Sequence, residues 1–254
     1  MEIMNEWTRE EEIIVFNLYC KIPFQKSSKN HPDVIRIANL IGRSPSAVNM
    51  KIGNFGSFDD NLKSKGISGL TNASKLDGEI FREFCGKWDE LAYQSEMLIQ
   101  KYLEAFGEKK EFNMPKGRDK TLTTKQRINQ GFFRSSVLAS YCCACCITGI
   151  SNKELLIASH IKPWNKSDEC EKTNPQNGLC LNALHDKAFD RGFLTVKRDY
   201  TIVVSNDITD VFNGQTVDLF FKKFANKKIR LPDRFLPDAQ FLEYHNDEIF
   251  ESWK

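Results

Sequence analysis

The sequence predicts an α+β fold: a helical amino-terminal domain, then a mixed unit built strand, loop, strand, helix. Three observations predict it. Apolar residues recur at helical spacing through the amino-terminal part, as in Val34, Ile37, Ala38 and Ile41. A basic stretch punctuated by Gly107, Pro115 and Gly117 then breaks the pattern. Beyond it, two short apolar runs, Leu155 to Ile161 and Gly178 to Leu181, are followed by a helix that Asn182 can cap. A chain of 254 residues is comfortable for two domains. The division expected is a helical recognition domain over 1–108, a basic linker over 109–124 and a catalytic domain over 125–254.

In order, Thr8 and Glu11 form the capping-box pair that opens a helix from about Arg9 to Tyr19. The next helix ends at Gly42, which supplies a left-handed stop, and Ser44-Pro45 caps and opens a third. Helix, tight glycine turn and helix resemble a helix-turn-helix unit whose second helix shows Ser46, Asn49 and Lys51 to solvent. Ile80, Phe84, Trp88 and Leu91 fall on one face of a further helix, expected to run on through Leu98 and Tyr102 to Phe106. Past the linker, a helix is expected from Arg127 to Tyr141. After the two strands, Asn182 caps a helix running to Asp190 and stopped by Gly192. Phe193 to Val196 and Thr201 to Ser205 read as a hairpin, and a helix near Gln240 to Phe250 closes the chain.

The charge of +2, with 41% hydrophobic and 28% charged residues, is that of an ordinary globular protein and does not by itself announce nucleic acid. No stretch approaches the roughly 18 apolar residues that span a bilayer, and the amino terminus has no basic start or apolar run, so a cytoplasmic protein without membrane contact is expected. Of the eight cysteines, Cys142, Cys143, Cys145, Cys146 and Cys180 cluster in a way that resembles no secreted disulfide framework. Cys142-x-x-Cys145 and Cys143-x-x-Cys146 each have half the spacing of a structural zinc site. The second pair is missing, because Ala183 stands where a partner for Cys180 belongs, and buried thiols are preferred to Zn²⁺.

A histidine ends the first strand (His160), an asparagine lies in the loop (Asn177) and a second histidine enters the helix (His185), at spacings of seventeen and eight residues. Hydrolysis of a phosphodiester needs a base for water, a cation for the developing charge and rigid geometry between them. An imidazole titrates near neutral pH and suits the base, His160. An amide both donates and accepts, so Asn177 can brace the loop. His185 is the expected cation ligand, near a helix amino terminus that favours phosphate.

Three blocks then carry a resemblance: Ile157-Ala158-Ser159-His160-Ile161-Lys162-Pro163-Trp164, Asn174-Pro175-Gln176-Asn177-Gly178-Leu179-Cys180-Leu181, and Leu184-His185-Asp186-Lys187-Ala188-Phe189-Asp190-Arg191-Gly192. Together they closely resemble the HNH nucleases found as predicted restriction endonucleases. Gln130-Gly131-Phe132-Phe133-Arg134, Cys146-Ile147-Thr148-Gly149 and Phe241-Leu242-Glu243-Tyr244-His245 are similar to their flanking stretches. The resemblance spans roughly residues 125 to 250 and is specific because separated blocks agree in order. It implies a ββα-metal (HNH) domain that cleaves double-stranded DNA with Mg²⁺ or Mn²⁺, His160 being the base, in a restriction or foreign-DNA defence role. Since one such site makes one cut, a homodimer is expected.

One departure stands out. Many such enzymes carry a second metal ligand directly before the base, where this chain has Ser159, a poor ligand for a hard cation. Metal ligation therefore falls to His185 and Asp186, with Ser159 itself contributing if the strand twists or bulges; Asp190 could help, but a structural pair with Arg191 is preferred for it. The rival reading is a helix-turn-helix DNA-binding regulator whose HNH core is degenerate and inactive. Candidate DNA contacts are Arg43, Ser46, Asn49, Lys51, Lys116, Arg118, Arg134 and Lys162.

Overall fold

A computed structural model of the chain describes residues 6–67, 69–70, 72–105, 107, 118–208 and 214–250. The amino-terminal part is a bundle built around α1 (Arg9–Lys21), which Thr8 and Glu11 open with a reciprocal capping box. From Ile13 to Cys20 every α1 side chain is buried, because α2 (Pro32–Ile41), α3 (Pro45–Gly56), α5 (Lys75–Phe84) and α6 (Trp88–Ala105) all pack against it. Phe16, fully buried, meets Phe55 at a ring-centroid distance of 4.8 Å and Phe81 at 5.4 Å. One such side chain contributes about 1.5–3 kcal/mol relative to exposure.

The turn between α2 and α3 has the expected chemistry: Gly42 at φ 69° ends one helix and the Ser44 side chain accepts from the Ala47 amide to open the next. A short helix, α4 (Asp60–Ser64), was not foreseen; the Asp59 side chain caps it. The single helix expected over Ile80 to Leu98 and onward is instead two, because Gly86 takes φ 88° between α5 and α6. Phe106 lies outside the described residues.

The long helix α7 (Arg118–Ser140) begins nine residues earlier than the Arg127 start expected, so the end of the anticipated linker is helical; its residues 109–117 lie outside those described. Successive residues of α7 serve two hydrophobic clusters. Phe132 joins the amino-terminal one, its ring 6.2 Å from that of Trp88, and Phe133 joins the carboxyl-terminal one. The halves are also joined by Arg234, fully buried, whose guanidinium donates to the Tyr19 and Ile22 carbonyls at the carboxyl end of α1. A cation there also suits the helix dipole.

In the carboxyl-terminal part, β1 (Leu156–His160) and β2 (Gly178–Asn182) pair antiparallel without a bulge, Leu156 opposite Asn182 and His160 opposite Gly178. The loop between them carries α8 (Glu169–Thr173), and α9 (Ala183–Asp190) follows β2 directly, its amide at His185 bonded to the Asn182 side chain. β3 (Leu194–Val196) and β4 (Ile202–Val204) form the expected hairpin. Next come α10 (Gly214–Phe220) and α11 (Ala239–Tyr244), the latter running into a wider π-helical turn, His245–Phe250. Among the described residues no helix is long and apolar enough to cross a membrane.

Candidate active site

His160 ends β1 and packs against α7, its ring stacked on that of Phe133 at 3.7 Å between centroids and meeting Trp164 edge-on at 5.4 Å. Its cross-strand neighbour is glycine for a local reason. A Cβ at Gly178 would lie 2.4 Å from Val137 and 3.0 Å from Phe133, so any side chain there displaces the ring that seats the imidazole. His160 Nε2 lies 3.0 Å from the Lys172 carbonyl oxygen. A carbonyl only accepts, so Nε2 carries the proton and Nδ1 keeps its lone pair. Burial pushes the imidazole below its ordinary pKa, against the opposing pull of that carbonyl. The ring is therefore neutral, with one nitrogen anchored.

Asn177 is fully buried beneath the loop. Its Oδ1 accepts from the Lys162 amide at 2.8 Å. Its Nδ2 donates toward the Lys162 and Glu171 carbonyls, both at 3.2 Å, and toward the Ser167 hydroxyl at 3.3 Å. One side chain thus ties the start of the loop to α8, whose Lys172 carbonyl orients His160.

His185 is 1% exposed and does not share the surroundings of His160. Its ring lies between Phe221 and Phe224, and its Nε2 is 2.8 Å from the Phe220 carbonyl. Nδ1 faces Asn182 Oδ1 at 3.1 Å. Burial lowers its pKa, the Phe220 carbonyl raises it and Lys223 lowers it. Each ring nitrogen thus faces an oxygen of the protein, and the two imidazoles have different aromatic neighbours, Phe133 and Trp164 at His160 and Phe221 and Phe224 at His185. Phe220 is thirty-five residues downstream of His185, and nothing local in the sequence signals it.

The neighbouring position is different. Ser159 is 3% exposed, and its hydroxyl, without a full hydrogen bond, lies close enough to Asp186 to favour the ionised carboxylate. Burial raises the Asp186 pKa, with Ser159 and Lys187 opposing. Asp190, one turn on and exposed, is still raised by desolvation and by the charge of Asp186, with Lys187 and Arg191 opposing. Two carboxyls four apart on a helix share a face, and that spacing was the available signal. Among the described residues no group of three or more His, Cys, Asp or Glu could hold a metal ion. All eight cysteines are free thiols.

The candidate DNA contacts fare unequally. Lys51 is 4% exposed, its ammonium 2.9 Å from Glu12 and 2.6 Å from Asp77, so α3 does not show it to solvent as expected. Arg43 pairs with Glu11 through Nε at 2.9 Å and Nη2 at 2.8 Å, and Lys162 pairs with Glu171 at 2.6 Å. Asn49 accepts from Ser27, whereas Ser46 and Arg134 are exposed. Lys116 and the side chain of Arg118 lie outside those described.

Sequence comparison now bears on this arrangement. No curated protein matches the chain. The family described as HNH endonuclease matches residues 145–197, the stretch that holds β1, the Asn177 loop, β2, α9 and β3. Residues 145–197 therefore constitute an HNH endonuclease domain of the ββα-metal nuclease class.

Proposed function

We propose that the chain is a metal-dependent DNA endonuclease in which His160 is the general base. The observation that carries this is the anchoring of His160: Nε2 fixed on the Lys172 carbonyl, a ring clamped by Phe133, a lowered pKa and Nδ1 with a free lone pair. A base must be neutral at working pH and held in one orientation, and these contacts supply both conditions. Asn177 acts through Lys172, as a positioning residue.

The oxygen donors of Asp186 and Asp190, beside the Ser159 hydroxyl, suit a hard divalent cation such as Mg²⁺ or Mn²⁺. Asp186, partly desolvated, and the exposed Asp190, whose pKa the charge of Asp186 raises, would both gain from a nearby cation, so the donor set fits. When bound, the ion supplies Lewis-acid stabilisation of charge on the phosphate and leaving oxygen. In this reading the ligand role first expected of His185 passes to Asp186 and Asp190.

A restriction or foreign-DNA defence role, double-strand cleavage by a pair of chains and residence in the cytoplasm extend the same reading. The rival, a DNA-binding regulator with an inactive core, draws on Ser159 in a ligand position. Supercoiled plasmid incubated with Mg²⁺ or Mn²⁺ separates the two. The nuclease nicks or linearises it, His160→Ala abolishes the cut, and Asp186→Asn raises the metal concentration required. Cleavage undiminished in His160→Ala refutes the base assignment.

A further inference from the structure

We propose that the cleft between the carboxyl end of α1 and the carboxyl-terminal part of α7 binds the phosphate backbone of nucleic acid, gripping substrate beside the stretch that meets His160. This rests on the nucleic-acid reading above and adds a second contact region to it. The cleft has a volume of about 320 Å³ and is lined in part by Lys21, His31, Asp33, Arg134, Ser135 and Lys153. Two lysines, an arginine and an imidazole thus line the cleft with one carboxylate, and Arg36 Nε lies 3.6 Å from that carboxylate.

Lys21 is the informative member. Burial pushes its ammonium below the ordinary lysine pKa, while Glu96 and Asp33 act on it only from a distance. Among the described residues no carboxylate lies within ion-pair reach of Lys21. Its ammonium lies 5.6 Å from the centre of the Phe132 ring. A desolvated cation without a counter-ion is costly unless an anion arrives.

The other groups are similarly available. His31 Nδ1 accepts from the Asp33 amide at 3.2 Å, which leaves the proton on Nε2 as a donor. Arg134 is exposed and, among the described residues, makes one long 3.4 Å contact to the Lys153 carbonyl, so most of its fork is unspent. Lys153 is exposed as well.

Position favours a polymer over a free anion. Arg134 adjoins Phe133, the residue stacked on His160, and Lys153 opens the turn that leads into β1, which ends at His160. Seven residues of chain span at most about 25 Å, less than the roughly 34 Å of one duplex turn. One duplex can therefore touch both places.

The test uses the full chain carrying His160→Ala, in EDTA, with a fluorescent duplex about two turns long, read by anisotropy across a salt series. Arg134→Gln and Lys153→Gln alter exposed side chains and carry the test; Lys21→Gln is added once its melting temperature matches the parent. Each should weaken binding several-fold and reduce the slope of log K against log salt by about 0.9 per lost contact. If the parent binds and the exposed variants match it in affinity and slope, the cleft assignment fails while the nuclease reading stands. If the parent does not bind duplex at all, both fail. Loss of inorganic phosphate binding with duplex binding intact would make this a small-anion pocket and overturn the proposal.

Discussion

Replacing Asn177 by alanine tests the loop directly, and the structure sets the size of the effect. Of the groups its amide serves, three keep a second partner. The Lys162 carbonyl still accepts from Ser167, the Glu171 carbonyl still accepts from the Asn174 amide, and the Ser167 hydroxyl keeps its own acceptors. Only the Lys162 amide, 2.8 Å from Oδ1, loses its acceptor. One orphaned buried donor costs about 1–3 kcal/mol, and the vacated amide volume brings the total to about 2–4 kcal/mol. Asn177→Ala should thus lower the unfolding free energy in urea by that amount, and amide hydrogen exchange should accelerate at Lys162. Asn177→Asp should behave differently, since its second oxygen would face two carbonyl oxygens unless protonated. Its folded-state pKa is then raised above the unfolded value, so its stability is retained at low pH and lost as pH rises through the folded pKa. A change below about 0.5 kcal/mol for Asn177→Ala, with Lys162 exchange unaltered, would refute the view of Asn177 as the loop's internal tie.

Three further outcomes are expected. Lys51→Ala leaves Glu12 and Asp77 buried without their cation and should cost about 3–5 kcal/mol in chemical denaturation; a DNA-contacting lysine would instead leave stability unchanged and weaken binding. His245 is 2% exposed, held between the Thr195 hydroxyl and the Phe189 carbonyl, and its pKa is lowered from 6.5 to about 4 by burial. The folded state therefore binds fewer protons than the unfolded one in that window. Roughly 3 kcal/mol present above pH 6.5 should be lost as pH falls toward 4, a slope that His245→Gln should flatten in pH-resolved urea melts. Gly178→Ala should cost about 1–3 kcal/mol through overpacking against Val137 and Phe133. Its cleavage rate should fall further than that of a surface variant of equal stability, because Phe133 holds His160.

What was legible in the sequence is what is local. The Thr8 and Glu11 box, the left-handed Gly42, the Ser44 and Asn182 caps and the β1–β2 spacing are encoded within a few residues, and the elements form where those signals lie. What failed depends on distant partners. Lys51 looks like a surface lysine until Glu12 and Asp77, thirty-nine and twenty-six residues away, are brought to it. Phe133 is one apolar residue among several on α7, and only the fold turns it toward His160. Gly86 was a local signal that outweighed the apolar spacing around it, since a helix interrupted by a positive φ keeps the same residues on the core side of both pieces.

The arrangement of α7 carries a consequence for how the two halves communicate. Because Phe132 enters the amino-terminal cluster and Phe133 seats the His160 imidazole, the orientation of His160 depends on the packing of a helix that the amino-terminal bundle also holds. A hinge would let the bundle move without disturbing the site. A shared helix does not: rotating α7 enough to release Phe132 from Trp88 also turns Phe133 relative to β1, since adjacent residues on one helix move as a rigid unit. Arg234, bonded to the carbonyls that end α1, fixes the same relation from the far end of the chain. His160 is therefore oriented from two directions, by the Lys172 carbonyl through the Asn177 loop and by Phe133 through the bundle. A substitution at Trp88, without contact to the site, should accordingly be felt at His160.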